Sequence, residues 1–114
     1  MEANRRELNL ILERLKGLNL HKVILFGSFA SGQPREDSDI DLLVVTNDDF
    51  LPKDHREKSE LYLTVSNALT DLAGKMPIDL IVHTKAMYQR FIQLGSLFSK
   101  EILQKGIVLH EADH

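Results

Sequence analysis

The chain contains no cysteine, which excludes disulfides, zinc–thiolate centres and thiol nucleophiles together. It also lacks an excess of positive charge: 14 Lys and Arg against 17 Asp and Glu leave a formal net charge of −3. Proteins that grip DNA or RNA draw most of their affinity from neutralised phosphates, so a nucleic-acid partner is disfavoured, whereas a single nucleotide carried with a metal ion is not. No continuous apolar segment resembles a signal peptide or a membrane span, and residues 1–18 are charged throughout; the cytoplasm is the expected location. Internal repeats, linkers and low-complexity stretches are missing, and the five histidines have no spacing suited to zinc. What is present is an ordinary globular composition, 43% apolar and 27% charged over 114 residues. That predicts one domain, residues 1–114, with a real core but without room for a separate substrate domain.

Leu8, Ile11, Leu12, Leu15 and Leu18 recur at helical spacing between charged residues and Gly17 offers a stop, predicting an amphipathic helix over about residues 3–17. Lys22–Phe26 and Asp39–Thr46 are short apolar runs suited to buried strands, separated by loop chemistry from Gly32 to Ser38. Asp54 and Glu57 have the spacing of an N-cap and its reciprocal acid, opening a helix with Leu61, Val65, Ala68, Leu69 and Leu72 on one face. Gly74 and Pro77 end it before a third strand, Ile78–Val82. A helix between strands two and three predicts that they are parallel and joined by a right-handed crossover. Thr84 and Ser96 are placed to cap two further helices, and Gly106 introduces a small strand at Ile107-Val108-Leu109.

Two local patterns carry chemistry. Phe26-Gly27-Ser28-Phe29-Ala30-Ser31-Gly32 reads as a strand ending in a tight turn. There Gly27 lets the backbone amides approach a ligand and Ser28 adds a hydroxyl, the features of an anion site. After ten intervening residues comes Asp39-Ile40-Asp41, opening an otherwise apolar strand. Alternate residues of a strand share a face, so Asp39 and Asp41 point the same way with Cα atoms roughly 6.6 Å apart. Aspartate is unfavourable in strands and needs a compensating partner such as a divalent cation. Asp79, between Ile78 and Leu80 of the third strand, adds another carboxylate of the same kind. Three carboxylates beside a phosphate turn predict phosphoryl-transfer chemistry with two metals roughly 3.5 to 4 Å apart. His83, just past the third strand, is read as a surface residue.

Gly27-Ser28, ten residues, Asp39-Ile40-Asp41 and the later Asp79 resemble the signature of the minimal nucleotidyltransferases of the polymerase-beta-like superfamily, and the likeness runs from the first helix to the closing strand. The resemblance implies an α/β core, a mixed sheet of three main strands plus a short C-terminal strand, packed with helices. It implies Mg²⁺, with two ions possible, and ATP or another nucleoside triphosphate as substrate. A nucleoside monophosphate is then transferred to an acceptor hydroxyl with release of pyrophosphate. Asp39, Asp41 and Asp79 take the metal-binding and catalytic places, while Gly27 and Ser28 anchor the nucleotide's distal phosphates.

One departure is visible at Ser31, where members of that family commonly carry a basic residue. Arg35 lies in the same loop and is either a substitute phosphate ligand or a solvated arginine beside Glu36 and Asp37. The resemblance further implies a small all-helical partner protein, as in toxin–antitoxin pairs whose nucleotidyltransferase is the antitoxin and adenylylates its partner. Tyr88, Phe91, Ile92, Leu94, Leu97 and Phe98 offer more apolar surface than one helix face easily hides. They either pack a core or meet a protein partner, and a homo-oligomer is a further possibility. Two other readings stay open. A non-catalytic nucleotide-binding antitoxin or regulatory subunit would tolerate Asp79→Asn, and a small-molecule adenylyltransferase would need a helical domain of its own.

Overall fold

A computed structural model describes residues 2–32 and 39–112. In chain order the elements are α1 (Glu2–Leu15), β1 (Leu20–Phe26), the one-turn α2 (Ser28–Ser31), β2 (Ile40–Thr46), α3 (His55–Ser66), a 3₁₀ turn (Asn67–Leu69), α4 (Thr70–Ala73), β3 (Ile78–His83), α5 (Lys85–Leu94), α6 (Leu97–Lys105) and β4 (Ile107–Glu111). The four strands form one mixed sheet in the order β3-β2-β1-β4. β1 runs antiparallel to both β2 and β4, and β2 runs parallel to β3, as the intervening helices require.

The two-residue period of the strands sorts the core into two layers. Val23 and Leu25 of β1 with Ile40, Leu42 and Val44 of β2 face α1 and α3, meeting Ile11, Leu15, Leu61 and Val65. Ile24 with Leu43 and Val45 face the opposite way, onto Tyr88 of α5 and Ile102 of α6. β2 is central and covered on both sides, which is why it reads as an almost unbroken apolar run. By the same parity Asp41 lies on the face covered by α5 and α6, and Asp79 shares that face through Ile81.

The expected caps are in place. Asp54 accepts from the Glu57 amide at 3.0 Å, and Glu57 reaches back to the Lys53 amide at 2.8 Å, one residue ahead of the expected Asp54 amide. Thr84 accepts from Met87 and Ser96 from Ser99, each at 3.1 Å. The helix expected to run unbroken to Gly74 is instead interrupted at residues 67–69. There the Thr70 hydroxyl donates to the carbonyls of Asn67 and Ser66 at 3.0 and 3.4 Å, competing with the regular backbone ladder. Its apolar face nonetheless survives, with Leu61, Val65, Leu69 and Leu72 all buried. β4 extends past the expected Leu109 to Glu111, where the carboxylate meets Lys22 of β1 at 2.8 Å. Among the described residues no helix is long and apolar enough to cross a membrane.

Candidate nucleotide and metal site

β1 ends at Phe26, and Gly27 turns the chain with φ 75° and ψ −156°, a conformation that is essentially glycine's alone. Ala30 and Ser31 then donate to the Gly27 carbonyl at 3.1 and 3.2 Å, closing α2, and Gly32 ends it in the left-handed region at φ 80°. The Ser28 and Phe29 amides precede the first of those bonds and are not used by it. The Ser31 hydroxyl turns back onto the Ser28 carbonyl at 2.9 Å.

Phe26 pairs in register with Asp41 across β1 and β2, and Asp41 pairs with Asp79 across β2 and β3. The order of the sheet therefore lines up the glycine turn and two carboxylates from three neighbouring strands. The Ile40 amide donates to the Pro77 carbonyl at 2.9 Å, tying the start of β2 to the start of β3. Gly27 approaches Asp41 so closely that a Cβ there would fall inside the carboxylate. Asp39 was expected to open β2; it stands one residue ahead of the strand and is exposed. Arg35 lies outside the described residues.

The electrostatics follow from this crowding. Partial burial pushes the Asp41 carboxyl up from its ordinary range, the Asp79 and Asp39 charges push it further, and the hydrogen bond that the protonated Asp41 carboxyl donates to Asp79 adds to the shift. Carboxylates close together at the starts of neighbouring strands, with no ion pair to a basic side chain among the described residues, suit a hard divalent cation. Among the described residues no group of three or more His, Cys, Asp or Glu side chains is placed to hold a metal ion. The donors nevertheless fit Mg²⁺, which keeps much of its shell for water and phosphate oxygens and takes one or two carboxylates from the protein.

The turn and Asp41 open into a cleft of about 390 Å³ whose opposite wall is α6: Phe98, Glu101, Ile102 and Lys105 face Phe26, Gly27, Ser28 and Ser31. Motif reading missed this wall, since nothing local links residue 105 to residue 28. The aromatic residues of the last helices divide. Tyr88, Phe91 and Ile92 pack into the second core layer, while Leu94 and Leu97 remain 77% and 86% exposed. Phe98 is half exposed and stands edge-on to Phe26 and Phe91, with centroids 5.5 and 5.8 Å apart. His83, expected at the surface, has a buried Nδ1 with no hydrogen-bond partner and packs against the Phe91 ring at 5.2 Å.

Comparison with known proteins bears on the family and the fold. The family "Polymerase beta, Nucleotidyltransferase" matches residues 7–114. A curated protein of Methanocaldococcus jannaschii, named there as a candidate protein adenylyltransferase, is 31% identical over 96% of both chains. Among solved structures, a candidate nucleotidyltransferase from Sulfolobus solfataricus superposes with a TM-score of 0.64 at 22% identity, over 98% of this chain and 86% of that one. A toxin–antitoxin structure with AMP-PNP gives a TM-score of 0.52 at 20% identity, over 96% and 75% of the two chains. A MntA toxin–antitoxin mutant gives 0.53 at 21%, over 93% and 73%. At these identities the structures speak for the fold: the mixed sheet and its helices are those of polymerase-beta-like nucleotidyltransferases.

Proposed function

The chain belongs to the polymerase beta nucleotidyltransferase family, and from that premise we propose that it is a Mg²⁺-dependent protein adenylyltransferase acting on a partner protein in the manner of a toxin–antitoxin pair. The observation that carries the reading is the meeting of Gly27 with Asp41 in the lining of one cleft, with Asp79 in register beside Asp41 on the next strand. A turn that brings backbone amides to a phosphate and carboxylates that hold cations are of use together when the ligand is a metal-bound polyphosphate.

In this reading Gly27 and Ser28 hold the distal phosphates of ATP, and Asp39 and Asp41 hold the Mg²⁺ that accompanies them. When bound, the metal withdraws charge from the phosphate oxygens and lowers the pKa of the attacking hydroxyl. Asp79 faces the acceptor and takes the hydroxyl proton. The acceptor oxygen forms its bond to the α-phosphorus, the bond from that phosphorus to the bridging oxygen breaks, and pyrophosphate leaves with the electron pair. Held in line, the reactants avoid the entropy of a chance encounter, a contribution of about 7–11 kcal/mol in favourable cases.

The acceptor is placed on a protein because the M. jannaschii relative is named for protein adenylylation and two structural relatives are toxin–antitoxin assemblies. The exposed Leu94 and Leu97 offer a surface for such a partner. Calorimetry with ATP tests the metal: affinity should need Mg²⁺, and the double change Asp39→Asn with Asp41→Asn should remove that dependence. Equal affinity in EDTA would remove the metal from the reading. Label from α-³²P-ATP appearing on a co-purified protein, with γ-label released as pyrophosphate, tests the transfer.

A further inference from the structure

The cleft holds a second set of groups that the strand motifs do not account for. Its described lining includes Asp41 and Glu101 and one basic side chain, Lys105, in the last turn of α6. We infer that Lys105 is the protein's own cation for the polyphosphate tail of the nucleotide, reaching across from α6 to the phosphates held by Ser28.

Three observations support this assignment. Lys105 makes no ion pair with any carboxylate among the described residues, although Glu101 lies one helical turn before it. Its backbone is fixed: Gly106 donates to the Ile102 carbonyl at 2.8 Å, and a Cβ at Gly106 would stand 2.8 Å from Ile24 Cγ2, so the end of α6 is seated directly on β1. Among the described residues the near wall of the cleft has no basic side chain, and the Ser31 hydroxyl there is committed to the Ser28 carbonyl. A triphosphate entering a cleft already lined by Asp41 and Glu101 adds several negative charges. A magnesium ion beside Asp41 offsets part of that load, and a lysine opposite offsets more. A lysine at a helix C-terminus also complements the helix dipole, and for that role alone no ligand is required. Binding measurements separate the two roles.

The inference rests on the nucleotide-binding reading above, and the test keeps the two apart. Binding of ATP, AMP and inorganic tripolyphosphate, each with Mg²⁺, is measured by calorimetry on wild type, Lys105→Met, Lys105→Arg and the double variant Lys105→Met with Ser31→Arg. Charge-assisted hydrogen bonds of a partly solvated side chain are worth roughly tenfold in affinity. Lys105→Met should therefore weaken ATP and tripolyphosphate about tenfold and AMP less than about twofold. Lys105→Arg should stay near wild type, and Ser31→Arg, placing a cation on the opposite wall, should recover a large part of the loss. Equal weakening of ATP and AMP, or ATP affinity unchanged in Lys105→Met, would overturn the role of Lys105 and leave the nucleotide site standing. Wild type binding none of the three ligands would overturn both.

Discussion

Gly27 and Asp41 occupy each other's space: the glycine has no side chain, and the carboxylate of Asp41 fills the volume its Cβ would take. The turn after β1 and the strand that carries Asp41 are thus fitted to one another before any ligand arrives.

Gly27→Ala should be severe for two separable reasons. The backbone at φ 75° and ψ −156° costs a non-glycine residue about 1–3 kcal/mol, and the new methyl group strikes Asp41. Removing the struck group relieves the second cost alone, so Gly27→Ala in an Asp41→Ala background should destabilise less than in wild type. The expected coupling is about 0.5–3 kcal/mol, read from urea unfolding of all four proteins; strict additivity would show that the contact carries no strain.

Asp79 should separate binding from chemistry. It comes from β3, whereas Asp41 lies in β2 and Asp39 just ahead of it, and it is exposed; in the proposed reaction it serves the acceptor. Asp79→Asn should hold ATP affinity within about threefold, while transfer falls by roughly 10² or more, the lower range of general-base effects. Transfer within about tenfold of wild type, a barrier change near 1.4 kcal/mol, would make Asp79 a structural carboxylate.

His83 predicts an acid-sensitive fold. Burial lowers its pKa below the ordinary value, so the unfolded chain binds the proton more readily than the folded one. Stability from this group is complete above the unfolded pKa of about 6.5 and is lost as the pH falls through that value toward the lower folded pKa. Urea midpoints at pH 7.5 and 5.0 should drop more for wild type than for His83→Leu; parallel drops would mean that the ring protonates without penalty.

Leu97, 86% exposed, should matter to assembly and hardly to folding. Leu97→Glu is expected to change stability by less than about 0.5 kcal/mol. In pull-downs from the native host it should release a stoichiometric partner that wild type retains. Retention by the variant, with recovery equal to wild type, would move the docking surface elsewhere.

Much of this was legible locally. Asp54, Thr84 and Ser96 cap helices because a side-chain oxygen three residues before a free amide needs no distant partner. Gly27 announced a turn in the same local way, and Asp41 a carboxylate within β2, whereas Asp39, expected to share that strand, stands one residue ahead of it. The break at residues 67–69 was not legible, since the competition of Thr70 for carbonyls is nearly balanced against the helix. Nor was the partial burial of His83, whose ring packs against Phe91 arriving from α5.

By itself the sequence determined which side chains could share a face. The two-residue period of β2 and β3 placed Asp41 with Leu43 and Asp79 with Ile81, because alternation is a property of the extended backbone and holds wherever the strand is put. Only the tertiary structure decided that Asp41 meets Asp79 in register, that Gly27 lies against Asp41, and that α6 brings Lys105 to the cleft over Gly106 and Ile24. Strand register and helix docking are set by packing between segments far apart in the chain, and no local pattern specifies which partner a face will find.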